Sequence, residues 1–85
     1  MKTFCYEIKD EIGIHARPAG LLVKEAKKYS SKIVVNINGK SAEATKLMAI
    51  MSLGVKNGQM IEVTVEGADE DVAYEGMKVF FEQNL

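Results

Sequence analysis

Residues 33 to 40, IVVNINGK, run three β-branched side chains, Ile33, Val34 and Val35, through Asn36 and Ile37 into Asn38-Gly39. Both members of that pair tolerate the positive φ that a two-residue hairpin turn demands, so the stretch predicts two antiparallel strands lying side by side. Upstream, from Arg17 to about Tyr29, apolar residues recur at Ala19, Leu22, Val23 and Ala26 with Lys24, Lys27 and Lys28 elsewhere, the spacing of an amphipathic helix. Before that helix, residues 3 to 9, TFCYEIK, alternate Phe4, Tyr6 and Ile8 with Cys5, Glu7 and Lys9, the period of a half-buried strand. Downstream of the hairpin, residues 46 to 53, KLMAIMSL, read as a short helix closed by Gly54. Asn57-Gly58 marks another turn, and Ile61, Val63 and Val65 alternate with Glu62, Thr64 and Glu66 as a fourth strand. Beyond Gly67, the acidic Asp69, Glu70 and Asp71 suit a helix N-terminus, and Val72, Ala73, Gly76, Met77 and Phe80 form the expected buried stripe of a last helix. Gly76 costs about 1 kcal/mol there relative to alanine, which is tolerated where a helix packs closely on a sheet.

The resulting order, β-α-β-β-α-β-α, predicts an α+β fold in which helices cover one face of a four-stranded antiparallel sheet. At 85 residues, with no repeat and no linker, the chain is expected to form a single domain over residues 1–85. Its composition, 47% hydrophobic and 27% charged, is too apolar and too evenly mixed for a disordered tail.

Composition also narrows the chemistry. The net charge of -1 gives no overall electrostatic reason to bind nucleic acid or an anionic membrane, and the aromatic signature of an RNA-reading strand is absent. Cys5 is the only cysteine, which excludes an internal disulfide and a multi-cysteine zinc site and fits a reducing cytosol; it reads as a strand residue without special chemistry. No apolar run approaches the roughly 20 residues that span a bilayer, so a cytoplasmic location without membrane insertion is expected. Gly39-Lys40-Ser41 looks like the end of a phosphate-binding loop, but Val34 stands where that motif needs a glycine. A lone histidine without clustered acidic or cysteine partners argues against a metal site, and no Gly-x-Ser-x-Gly elbow is present.

What remains is GIHARPAG, residues 13 to 20, which holds the only histidine and the only proline. A surface or capping residue is the ordinary reading of a lone histidine. The neighbours change it. Gly13 permits a sharp backbone turn, and Pro18 suits a first helical turn, where its missing N–H costs nothing, so His15 falls at the start of the first helix. With Ala16 and Pro18, it lies where unpaired N–H groups and partial positive charge make an anion site. Arg17 adds a planar fork that matches phosphate oxygens. A neutral imidazole is nucleophilic, and a phosphoryl group on it is stabilised by the helix start. A general acid–base enzyme is the weaker reading, because no second catalytic group lies in recognisable context.

These residues resemble HPr, the histidine-containing phosphocarrier family of the phosphoenolpyruvate-dependent sugar phosphotransferase system. The likeness rests on Gly13-Ile14-His15-Ala16-Arg17-Pro18-Ala19, on Asn38-Gly39-Lys40, on the segment Leu47 to Gly54, and on Glu66-Gly67-Ala68-Asp69-Glu70, in register along essentially the whole chain. It implies the family's open-faced β-sandwich and a carrier that takes phosphate on Nδ1 of His15 from phosphorylated enzyme I and gives it to IIA components of sugar permeases. It also implies an anion-binding role for Arg17, no cofactor, and turnover that depends on partner enzymes. The expected working unit is a monomer.

On the second helix, Leu47, Met48 and Met51 are spaced to form one outward patch while Ile50 and Leu53 face inward; the spacing equally allows all five to be core. Methionine suits a surface that receives several partners. By resemblance, that patch, with Gly20, Lys24 and Lys27 of the first helix, meets enzyme I and IIA proteins. One position departs from the family. Where HPr proteins of low-GC Gram-positive bacteria carry a regulatory serine, this chain has Lys46, which cannot accept that phosphate and whose charge is poorly placed at a helix N-terminus. Thr45 reads as a helix cap, and Ser52 is a weaker candidate for modification. A non-transport regulatory paralogue, a module that binds regulatory proteins, is therefore the alternative to a working carrier.

Overall fold

The computed structural model describes residues 1–85. The elements are β1 (Lys2–Glu7), α1 (Ala16–Ala26), β2 (Lys32–Ile37), β3 (Lys40–Glu43), α2 (Leu47–Ser52), β4 (Met60–Glu66) and α3 (Glu70–Asn84). The four strands pair antiparallel in the order β1-β4-β2-β3. The hairpin forms as expected, with Asn38 at φ 49° and Gly39 at φ 79°, both on the left-handed side that the turn requires.

Strand register explains why the sheet has one wet face and one dry face. Phe4, Val63, Val35 and Ala42 stand opposite one another across all four strands, and all are buried against the helices. One residue along, Cys5, Glu62, Asn36 and Ser41 form the matching row on the open face, where Ser41 Oγ donates to Asn36 Oδ1 and Asn36 Nδ2 donates to Thr64 Oγ1 at 3.3 Å. The period-two pattern thus places Phe4, Ile33, Val35, Ile37, Ala42, Ile61, Val63 and Val65 on the helix side, while Val34 and Met60 fall on the open face. Beneath the helices, Phe81, 0% exposed, meets Phe4, Tyr6 and Phe80 edge to face with ring centroids 5.7–6.0 Å apart.

Four boundaries and faces differ from the sequence expectation. β1 ends at Glu7 rather than residue 9, yet Ile8 remains buried because its N–H donates to Gln59 O and its carbonyl accepts from Gly58 N–H. α1 ends at Ala26 rather than near Tyr29. The bonds from Lys28 N–H to Glu25 O and from Tyr29 N–H to Ala26 O tighten its end, and the next two amides, of Ser30 and Ser31, donate instead to Asp69. The buried stripe of α3 is Ala73, Met77, Phe80 and Phe81, about one residue round from the stripe expected; Val72 is 65% exposed. Gly76 faces not the sheet but Tyr29, whose phenol would lie 1.9 Å from a Cβ at that position and would have to shift for any larger residue.

Asp69 precedes α3 without capping it through its side chain. Its carboxylate accepts the N–H groups of Ser30 (2.9 Å) and Ser31 (2.8 Å) and the Ser31 hydroxyl, fastening the α1–β2 connection to the head of α3. These bonds, the Ser31 hydroxyl first, hold the Asp69 carboxyl below its ordinary range. A depressed carboxylate contributes stability above its unfolded pKa and loses it as pH falls through the folded one. Replacing Asp69 by asparagine should therefore lower the urea midpoint most at neutral pH, and the gap to the parent should close below the ordinary carboxylate range. A gap of constant size from pH 7 to pH 2 would show that the charge of Asp69 contributes nothing.

Candidate functional site

The bend that delivers His15 is built around Gly13. That residue is buried at φ +87°, its N–H donates to Asp10 O at 3.1 Å, and the following Ile14 N–H donates to Val55 O at 3.0 Å. A Cβ on Gly13 would stand 2.4 Å from Val55 O and 2.6 Å from Lys56 Cα, so the loop closes against main chain that has no rotamer with which to yield. Two residues on, His15 takes the extended conformation of an N-cap (φ -118°, ψ -172°), and its carbonyl accepts the first helical bond, from Ala19 N–H.

His15 does not cap the helix with its ring. The main-chain N–H groups of Ala16 and Arg17 find no acceptor in the protein, and Pro18 has none to donate, so the first turn of α1 leaves its donors free. The imidazole is 38% exposed, with Nε2 3.7 Å from Asp10 Oδ2, while Nδ1 bonds to no protein group. Arg17 is exposed and forms no ion pair with any carboxylate. A shallow hollow joins Asp10, His15, Arg17, Pro18 and Leu21 of one side to Gln83 and Asn84 at the end of α3. Arg17, which has no ion-pair partner, and the half-exposed ring of His15 thus line one small, solvent-open hollow at a helix start whose first amides have no acceptor in the protein. The arrangement can hold an oxyanion attached to the ring.

The remaining residues singled out in the sequence fall as follows. Leu47 is 40% and Met48 73% exposed, Met51 is half-buried, and Ile50 and Leu53 are buried, so α2 presents an apolar outer face over a filled inner one. Gly20 on α1 and Lys27 at its C-cap are exposed, and α1 packs beside α2. Lys24 stands apart from the α2 patch, lining a groove between α1 and α3 with Leu21, Lys28 and Val79. Lys46 is the N-cap of α2 and offers no side-chain acceptor. The cap expected of Thr45 is not formed: its hydroxyl makes no hydrogen bond, because the helix begins one residue later. Ser52 Oγ donates to Ala49 O at 2.8 Å within the helix. No helix is long and apolar enough to cross a membrane.

Asp10 was not among the sequence candidates. It follows the expected strand of residues 3 to 9 directly, and its spacing of five from the sole histidine is the available signal. Gln83 and Asn84 carried no signal at all, since only the sheet order brings the end of α3 to the start of α1.

Comparison with known proteins identifies the family. The family described as "PTS HPr component phosphorylation site" matches residues 2–83. The chain is similar to the phosphocarrier protein HPr of Buchnera aphidicola, 47% identical over 68 residues covering 80% of each chain. It is also similar to the HPr-like protein Crh of Halalkalibacterium halodurans, 39% identical over 77 residues, 91% of this chain and 92% of that one. Among solved structures, HPr from Thermoanaerobacter tengcongensis superposes with a TM-score of 0.93 at 42% identity, covering 99% of this chain and 94% of that one; a dimer of HPr from that organism superposes at 0.77. With the fold and the family match over residues 2–83 in agreement, the chain belongs to the HPr family of phosphocarrier proteins of the sugar phosphotransferase system.

Proposed function

We propose that the chain carries phosphate on His15, taking it on Nδ1 from phosphorylated enzyme I and passing it to IIA components of sugar permeases in the cytoplasm, as a monomer. The observation that supports this most is the placement of His15 as an N-cap whose ring leaves the Ala16 and Arg17 amides open, with the Arg17 guanidinium unpaired beside it. The choice of Nδ1 comes from the family and fits a ring whose other nitrogen faces Asp10. The helix start and the guanidinium hold the phosphoryl oxygens without a covalent step of their own, so turnover is left to the partners. Leu47, Met48 and Met51, with Gly20 and Lys27, supply the apolar and basic surface on which those partners dock; Lys24 lies off that patch, in the groove between α1 and α3 that shares Leu21 with the His15 hollow. Lys46 has no hydroxyl, so the serine-kinase switch is absent at that position.

A chase experiment tests the carrier role. The chain, charged with phosphoenolpyruvate and a catalytic amount of enzyme I, should lose its phosphoryl group when a IIA protein is added; retention of the label would contradict the hand-off. Arg17→Ala should slow acceptance by about 10- to 100-fold, the worth of a charge-assisted hydrogen bond to phosphate of about 1.5–3 kcal/mol, with the thermal midpoint little changed. Transfer at the parent rate would remove Arg17 from the mechanism. Lys46 and the likeness to Crh favour one second reading, a regulatory module that binds other proteins through the α2 patch and carries no phosphate. Failure to label with a cognate enzyme I would select it.

A further inference from the structure

We propose that Asp10 is a positioning residue for phosphoryl transfer, holding the His15 ring by Nε2 and balancing the charge that the ring acquires at Nδ1; this rests on the carrier reading above. Asp10 is itself held from several sides. Its N–H donates to the main-chain oxygen of Leu85 at 2.8 Å, beside Lys9 N–H at 2.6 Å on the same oxygen. Its carbonyl accepts from Gly13 N–H, and its Oδ2 accepts from Ile12 N–H at 3.2 Å. Asn57 Nδ2 donates to the adjoining Lys9 carbonyl at 3.2 Å. The carboxylate is therefore fixed by the same loop that delivers the histidine.

From that position Oδ2 lies 3.7 Å from Nε2, within ion-pair range, and contacts of this kind tighten when the reacting complex forms. The other side chains of the hollow do not compete for the role: Arg17 is cationic, and Pro18, Leu21, Gln83 and Asn84 are uncharged. In the transfer step the lone pair of Nδ1 forms a bond to phosphorus, the bond from phosphorus to the donor atom breaks, and its electron pair leaves with the donor. The Nε2 proton stays on the ring, which becomes a phosphorylated imidazolium with Nε2–H facing Asp10. A carboxylate there favours the tautomer whose Nδ1 is unprotonated and stabilises the cation as it forms, the division of labour of a histidine–aspartate pair. The negative phosphoryl group meanwhile meets the amides and Arg17 on the opposite side of the ring.

Asp10→Asn keeps an oxygen for Ile12 N–H and removes the charge. With phosphorylated enzyme I as donor, kcat for acceptance should fall about ten-fold, one ordinary charge interaction, while KM stays within two-fold of the parent. Asp10→Glu should recover part of the kcat lost. In nitrogen-15 NMR of the phosphorylated chain, an Nε2–H proton resonance should be visible in the parent and broadened by exchange with water in Asp10→Asn. If the parent labels and Asp10→Asn matches it in kcat and in the Nε2–H resonance, the proposal is overturned and the carrier role stands. If the parent itself takes no phosphate, both fall together.

Discussion

Replacing His15 by alanine is expected to abolish phosphoryl acceptance while leaving the domain folded. The ring is 38% exposed, donates no cap to α1, and makes no hydrogen bond within normal distance, so its loss should cost about 0.5 kcal/mol or less. The chain has no other histidine, and none of the remaining side chains in the hollow is a nitrogen nucleophile of comparable character. Intact mass after incubation with phosphoenolpyruvate and enzyme I should therefore show no gain, with the urea midpoint of the parent retained. Phosphoryl gain in the variant would place the acceptor elsewhere; loss of the fold would mean that the ring has a structural role that its surroundings do not show.

Gly13→Ala should produce the largest stability loss among small changes near the site. The native φ of +87° is unfavourable for alanine by about 1–2 kcal/mol, and the added Cβ meets Val55 O and Lys56 Cα, where overpacking costs about 1–3 kcal/mol. Together these predict a loss of about 2–5 kcal/mol, read as a lower urea midpoint with an unchanged slope. The bond from Ile14 N–H to Val55 O would be the first to yield, so His15 would move and transfer would slow even where the variant still folds. A variant with the stability and rate of the parent would show that the loop has room that the main chain at Val55 and Lys56 does not provide.

The parts of the fold that were legible in the sequence are those set by neighbours in the chain. Asn38-Gly39 demands its turn through two adjacent φ angles, and Ile61, Val63 and Val65 declare a buried face by alternation alone. The head of α1 was legible for the same reason, since Gly13, His15 and Pro18 act within six residues. Faces set by distant partners were not. Val72 and Phe81 both fit a helical stripe, and only the position of Phe4 and Tyr6 beneath α3 decides that Phe81 is the buried one. Tyr29 leaves the expected helix because Asp69, 38 residues beyond Ser31, takes the amides that follow it. For Asp10 only its spacing from His15 hinted at a partnership, because its placement also depends on Leu85, which the order of the elements brings to it from the far end of the chain.

The most direct test of the carrier account is stoichiometric labelling of the unmodified chain. After incubation with phosphoenolpyruvate and a catalytic amount of a cognate enzyme I, the account predicts a gain of one phosphoryl group per chain, labile to acid, stable to alkali and located at His15. No gain, or a label that survives acid and maps to Thr45 or Ser52, would contradict it.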